Sequence, residues 1–231
     1  MNILAVDTSG PVCSAAVLSG GKLASFALMQ NGNTHSVNMM PMIDYVLDGA
    51  CMGVGDVDYF ACVTGPGSFT GVRIGVTAVK ALSQATGKPC IEVNALEALA
   101  HRDFQGVVCP ILDARRNQVY CAAFKCGKRL EPDAAIALDE YLENIKKYDP
   151  PYLFVGDGVP AYTKVISEAL GDKAIFADAA GYVISAAAAA VLAEKMTDKA
   201  VSHFDLESYY LRVSSAQREY EERQAKLGNK Q

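Results

Sequence analysis

The stretch Gly65-Pro66-Gly67-Ser68-Phe69-Thr70-Gly71-Val72-Arg73-Ile74-Gly75 follows an apolar run, Tyr59 to Val63, and leads into a helical pattern that extends to about Gly87. Strand, glycine turn and helix in that order point backbone N–H groups and the positive end of a helix dipole at an anion. Phosphate chemistry is therefore the first to test. The Gly-x-x-x-x-Gly-Lys loop is absent. The third glycine of the dinucleotide fingerprint would fall on Thr70, one residue before Gly71. The glycines say more about backbone geometry than about a ligand.

Asp7 and Asp113 each end a strand pattern and begin a turn. If two halves of the chain face each other, both carboxylates point at a shared cleft, where Mg²⁺ and phosphate could sit. Against that stands the common use of aspartate as a turn residue, and neither has a second acid close by in sequence. Arg73 and the pair Arg115-Arg116 could hold phosphate, although ion pairing is the commoner fate of such residues. Asp7, Gly65, Gly67, Ser68, Thr70, Arg73 and Asp113 make up the candidate nucleotide cleft. His35, His101 and His203 stand apart from one another and from other donors, so they form no metal-ligand pattern. No Gly-x-Ser-x-Gly elbow anchors a serine hydrolase or peptidase.

The elements that would position these residues suit an ordinary globular chain. Its 231 residues are 51% apolar and 20% charged, enough for one large domain or two small ones. A formal charge of −5 argues against strong nucleic-acid binding by this chain alone. Seven cysteines without a Cys-x-x-Cys pair suggest reduced thiols. Met1-Asn2-Ile3-Leu4 reads as a strand rather than a leader, and the alanine-rich run near Ile184 to Ala193 is too short for a bilayer. The expectation is a cytoplasmic protein with no membrane partner.

Strands are expected over Ile3–Val6, Val12–Leu18 and Leu23–Leu28, followed by a helix from Ser36 to Gly49 with Pro41 marking its first turn. A strand, Asp58–Val63, precedes the glycine turn. Cys90–Val93 is a strand, and Asn94 caps a helix over Ala95–Ala100. From near Phe104 the order partly repeats. Strands Val107–Leu112 and Gln118–Lys125 are followed by a helix Leu138–Tyr148 and a strand Tyr152–Val155. Gly156-Asp157-Gly158 then turns into a helix Ala161–Leu170, before a short strand at Ile175-Phe176 and a helix Tyr182–Met196. Both halves open with strands ending in aspartate, so the chain divides into similar lobes, 1–103 and 104–231. The charged end, Glu219 to Gln231, is expected as a solvated helix or frayed tail.

The Ser36–Gly49 helix carries two apolar stripes, Met40/Ile43/Leu47 and Met39/Met42/Val46. A surface helix needs one stripe for its own core, so the other reads either as deeper burial or as a surface for another protein. In the helix after the glycine turn, Gly71, Gly75, Ala78 and Ala85 form a small-residue side suited to close helix packing.

Four segments together, Ile3 to Ser9, Gly65 to Gly75, Leu112-Asp113-Ala114-Arg115-Arg116-Asn117-Gln118-Val119-Tyr120 and Tyr210-Leu211-Arg212, resemble the TsaB (YeaZ) family over nearly the whole chain. The resemblance implies an α/β fold of the ASKHA (actin/Hsp70, RNase H-like) type, two lobes each built on a mixed sheet. It implies a role in placing N6-threonylcarbamoyl on adenosine 37 of tRNAs that read ANN codons. The family's catalytic relative, TsaD, carries Asn-His-x-Glu-x-His where this chain has Asn94-Ala95-Leu96-Glu97-Ala98-Leu99. Ala95 and Leu99 replace the two metal-binding histidines and offer no lone pair.

The resemblance therefore implies a non-catalytic paralogue that activates TsaD, with TsaE joining them, and a vestigial cleft. It implies no metal and no cofactor of its own, with ATP and Mg²⁺ belonging to the partners or a shared interface. It also implies a homodimer when the chain is alone and tRNA contact only within the complex. Met39, Met40, Met42, Ile43, Val46 and Leu47, with Gly71, Gly75 and Ala78 beside them, are the expected partner surface. The basic residues that usually follow the family's His-Ser pair are replaced here by Val37 and Asn38. An ATP-dependent phosphotransferase of the same fold, using Asp7 and Asp113, is the alternative.

Overall fold

The computed structural model describes residues 1–212, so the charged tail from Glu219 to Gln231 lies outside the described residues. The chain opens with an antiparallel meander: β1 (Asn2–Asp7), β2 (Cys13–Ser19) and β3 (Lys22–Met29). Gly20 and Gly21 join β2 to β3 with φ of 56° and 76°. Two successive left-handed residues give the tight turn whose twist matches the strands, and glycine adopts them without a Cβ clash. The helix α1 (His35–Gly49) covers β2 and β3. Then come β4 (Tyr59–Gly65), α2 (Phe69–Thr86), β5 (Cys90–Asn94) and α3 (Ala95–Ala100).

The second half repeats this order with β6 (Val107–Asp113), β7 (Gln118–Lys125), β8 (Lys128–Ala137) and α4 (Leu138–Ile145). It continues through β9 (Tyr152–Val155), α5 (Val159–Leu170), β10 (Ala174–Phe176) and α6 (Ala186–Glu194). The first sheet runs β3-β2-β1-β4-β5 and the second, read from its far end, runs β8-β7-β6-β9-β10. Each strand of one sheet thus has its counterpart in the other, and in both the central strand pairs parallel with the fourth and antiparallel with the second. The echo seen in the sequence is a structural duplication.

Helices α3 and α6 lie between the two sheets, in one apolar cluster with Ile3, Ala16, Val63 and Ile91 of the first sheet and Val108, Leu112 and Phe124 of the second. The helices are alanine-rich because two sheets must approach them closely. Ala186, Ala189, Ala190 and Ala193 are all fully buried. Ser14 Oγ accepts from Ala186 N at 3.0 Å, pinning the start of α6 to β2. After α6 the chain runs back along the first sheet, where Val201 exchanges two backbone hydrogen bonds of 2.8 Å with Cys90. Both faces of β1 and β2 are therefore covered, and their residues are buried without alternation.

Four expectations need correction. The strand β8 went unread because Lys128, Arg129, Glu131, Pro132 and Asp133 break any apolar alternation. Pro41 sits in the middle of α1, not in its first turn. α6 begins at Ala186 because Ser185 caps it, its hydroxyl accepting from Ala187 N at 3.1 Å; Ala179–Tyr182 ahead of it is a short 3-10 turn. The fourth concerns the stripes of α1. Met39, Met42, Ile43, Val46 and Leu47 all belong to the core between the first sheet and its outer helices, and of the six only Met40 is exposed. Both stripes form one broad inward face, and five of the six residues are packed into the chain's own core.

Candidate functional site: the cleft between the lobes

The β1–β2 turn, Asp7-Thr8-Ser9, sits on the glycine stretch. Ser68 N donates to the Ser9 carbonyl at 2.7 Å. Thr8 Oγ1 donates to the Gly71 carbonyl at 2.7 Å and accepts from Gly75 N at 3.0 Å. A Cβ at Gly71 would run into the Thr8 carbonyl oxygen, and one at Gly75 would stand 2.7 Å from Thr8 Oγ1 and 3.3 Å from Cys62 Sγ. The small residues of α2 thus accept a turn of the sheet rather than another helix. Gly71 and Gly75 are buried there, and Ala78 is half-buried beside the α1 core. The Ser68 hydroxyl caps α2 by accepting from Gly71 N at 3.2 Å.

Asp7 is fully buried. Its Oδ1 accepts from Ser9 N at 2.9 Å and Ser9 Oγ at 2.6 Å, while Oδ2 has no hydrogen-bond partner. Burial pushes its pKa up to about 6, against the Ser9 hydrogen bonds that hold it down; the Asp157 carboxylate raises it further and His35 lowers it. Such a cost is commoner at a site than in a plain turn.

Between the lobes lies a cavity of about 550 Å³. The first lobe supplies Ser9, Gly10, Gly67, Ser68 and Thr70; the second supplies Asp113, Arg115, Tyr120 and Asp157. The returning chain, Tyr209 to Arg212, makes a third wall. Of the residues expected in the cleft, Gly67, Ser68, Thr70 and Asp113 line it. Asp7 does not, being buried behind Ser9. Gly65 backs onto the returning chain: its φ is 122°, Tyr209 N donates to the Thr64 carbonyl at 2.8 Å, and a Cβ would strike the Tyr209 carbonyl oxygen.

Arg73 is also turned away from the cavity. Its Nε donates to Tyr210 Oη at 3.1 Å and its guanidinium lies 3.9 Å from the centre of the Phe69 ring, which stacks on Tyr210 at 4.8 Å. These contacts hold the returning chain against α2. Arg212 then reaches the second lobe, donating to the Ala114 carbonyl at 3.0 Å.

Asp157 is the functional candidate that spacing missed. Its Oδ1 accepts from Asp113 N at 3.0 Å, and Asp113 Oδ1 accepts from Arg115 N at 2.8 Å. Burial, then the Asp113 charge, raises the Asp157 pKa, against the backbone hydrogen bond that lowers it. The second acid that seemed absent near Asp113 comes from the neighbouring strand end, 44 residues on. Parallel pairing of β6 with β9 puts the two strand ends side by side, which a Gly-Asp-Gly turn hints at but cannot reveal. Among the described residues no group of three or more His, Cys, Asp or Glu is placed to hold a metal ion. Ala95 and Leu99, whose side chains offer no metal ligand, fill the interlobe core, 0% and 1% exposed.

A family model described as "TsaD: tRNA N6-adenosine threonylcarbamoyltransferase" matches residues 30–226. The tRNA threonylcarbamoyladenosine biosynthesis protein TsaB of Bacillus subtilis is 34% identical over 97% of this chain and 100% of its own length. The chain belongs to the TsaB (YeaZ) family. A solved YeaZ from Pseudomonas aeruginosa, 27% identical, superposes with a TM-score of 0.73 over 90% of this chain and 99% of that one. Component A of the (R)-2-hydroxyglutaryl-CoA dehydratase of Acidaminococcus fermentans, 12% identical, superposes at 0.52 over 86% and 99%. That likeness concerns the fold alone, and with the duplicated sheets it gives this TsaB-family chain the two-lobed ASKHA-type fold. No helix among its described residues is long and apolar enough to cross a membrane.

Proposed function

We propose that this chain is a non-catalytic subunit in the N6-threonylcarbamoylation of adenosine 37 of tRNA, acting on a TsaD-type transferase in the cytoplasm with TsaE as the third component. The observation that carries the reading is α3: Ala95 and Leu99 are packing residues of the interlobe core, so this helix presents no ligand where the transferase needs one. ATP, Mg²⁺ and tRNA are then engaged by the partners or at an interface shared with them.

The outer side of α1 is the surface that suits the transferase. Val37, Met40 and Tyr45 are exposed on its solvent side, Met40 and Tyr45 towards opposite borders and Asp44 and Asp48 along the middle. Exposed apolar side chains beside acidic ones give a mixed surface that suits a protein contact. Co-sedimentation with TsaD is expected for the intact chain and lost in Tyr45→Asp, whose melting temperature should stay within a few degrees of the parent. Retained co-sedimentation in that variant would remove α1 from the interface.

A second reading, an ATP-dependent phosphotransferase, is favoured by Asp113 and Asp157 facing a shared cavity. Mg-ATP would then raise the melting temperature by mass action, the rise would vanish in Asp113→Asn, and phosphate would reach an acceptor. Without that transfer the reading fails.

A further inference from the structure

Asn94 and Glu97, the polar residues at the start of α3, do not line the cavity. Asn94 caps the helix, its Oδ1 accepting from Glu97 N at 3.0 Å. That bond fixes the amide, so its Nδ2 needs an acceptor elsewhere. It donates to Asp133 Oδ2, on β8 of the second sheet. Arg129 of β8 bonds the other Asp133 oxygen and reaches Glu97 Oε2 at 3.6 Å. The Arg129 guanidinium also lies 4.6 Å from the centre of the Phe124 ring, which belongs to the interlobe core. Two residues of the first lobe thus hold two of the second.

A regular strand would keep Arg129 and Asp133 apart, since residues four positions along it are about 13 Å distant. β8 is not regular here. Cys121 of β7 faces Ala134 and Phe124 faces Arg129, so three steps on β7 are matched by five on β8, with breaks in register on both sides of Ala123. Such bulges bend a strand and re-aim its side chains. Asp133 lands against α3, its side chain 6% exposed and that of Arg129 32%. An edge charge that only repels other strands needs no partner in the opposite lobe. This carboxylate has one. The returning chain joins it: burial, then the Asp133 charge, raises the Tyr209 phenol while Arg129 lowers it, so the Tyr209 ring stands beside the pair.

We infer that Asp133 and Arg129 form an interlobe latch, fastened on Asn94 and Glu97, that holds the two lobes at one angle and so fixes the width of the cavity between them. Asn94 stands where β5 ends and α3 begins, so a pull on its side chain is borne by the first sheet and by the helix packed between the sheets. The latch ties this point to the edge strand β8, while Arg212 ties the returning chain to Ala114 at the end of β6. Lobes that swing apart must break both. The Asn94 bond to a buried carboxylate is the stronger part, since charge-assisted hydrogen bonds shielded from water outweigh neutral ones. The Arg129–Glu97 pair, about a third exposed on each side, adds little by itself. Without the latch, a hinge motion between the lobes becomes available.

Distances between spin labels across the cavity test this. Thr70→Cys and Arg116→Cys, at exposed positions of the first and second lobe, carry the labels in the full chain, with Cys51→Ser and Cys126→Ser to remove the exposed native thiols. The parent, diluted in unlabelled protein, is expected to give one narrow distance. Asn94→Asp keeps the helix cap, because aspartate serves as well there, but sets a second carboxylate against Asp133. It should broaden the distribution and shift it to longer distances. Exchanging the two, Asn94→Asp with Asp133→Asn, restores an amide–carboxylate hydrogen bond in the reverse direction. The exchange should return the narrow distance whether or not the single variant folds, a rescue that a general loss of structure does not produce. A parent that is already broad would overturn the inference. So would an unchanged distribution in Asn94→Asp, or an exchange that fails to restore the narrow distance.

Discussion

Gly71 could be read as a phosphate-loop glycine, a helix-packing glycine or a seat for a turn, and the contact with the Thr8 carbonyl decides for the last. Gly71→Ala should therefore cost stability, about 1–3 kcal/mol by analogy with overpacked cores, measured by urea unfolding. A neutral result would return the residue to the ligand-binding readings. Asp7 makes a prediction with a sign. Its folded pKa of about 6 lies above the ordinary 3.8, so the folded state holds the proton more tightly than the unfolded chain. The stability this provides is fully present below about pH 4 and is lost as pH rises through about 6. The loss approaches roughly 3 kcal/mol at most. Asp7→Asn should remove that slope between pH 4 and 6, seen in unfolding at a series of pH values. A slope that persists would assign it to another group. Asp7 as a candidate was legible from its place at a strand end; its orphaned Oδ2 and its neighbour Asp157 were not, since both depend on chain segments far apart.

At the scale of elements, α1 shows why pattern reading overreached. Periodicity counts apolar positions but does not say how wide a face the rest of the fold can cover. Here β2, β3 and α2 together bury Met39, Met42, Ile43, Val46 and Leu47. The two stripes therefore predict different outcomes from those a partner surface would give. Val46→Asp should unfold the chain, costing more than about 3 kcal/mol for an unpaired buried carboxylate. Tyr45→Asp, one residue away and exposed, should leave thermal stability nearly unchanged. Circular dichroism melts of the pair separate the cases, and equal melting temperatures would contradict the burial assigned here. Strands with apolar runs, such as β1, β4 and β6, were readable because both of their faces are covered. β8 was not, because a charged edge strand carries the signals of a loop. The caps at Ser68 and Asn94 were available to reading, and Asn94 was read; Ser185 was hidden within an alanine run that looked helical throughout.

Over the whole molecule, the duplication was legible because both halves begin with a strand that ends in aspartate. What could not be read was how the halves interlock. α6 follows the second sheet in sequence yet packs on the first, and residues 201–212 return across the glycine turn to reach the second lobe again through Arg212. This crossing gives the cavity walls from three chain segments. It also places Ala95 and Leu99 inside the layer that holds the lobes together, where side chains are chosen for volume. The fold thus keeps a two-lobed frame while its α3 is given over to packing. The most direct test is threonylcarbamoyl transfer to tRNA by the purified full chain, with and without TsaD and TsaE. No transfer is expected from the chain alone, and N6-threonylcarbamoyladenosine is expected to form once the other two proteins are present. Transfer by this chain without TsaD would contradict it.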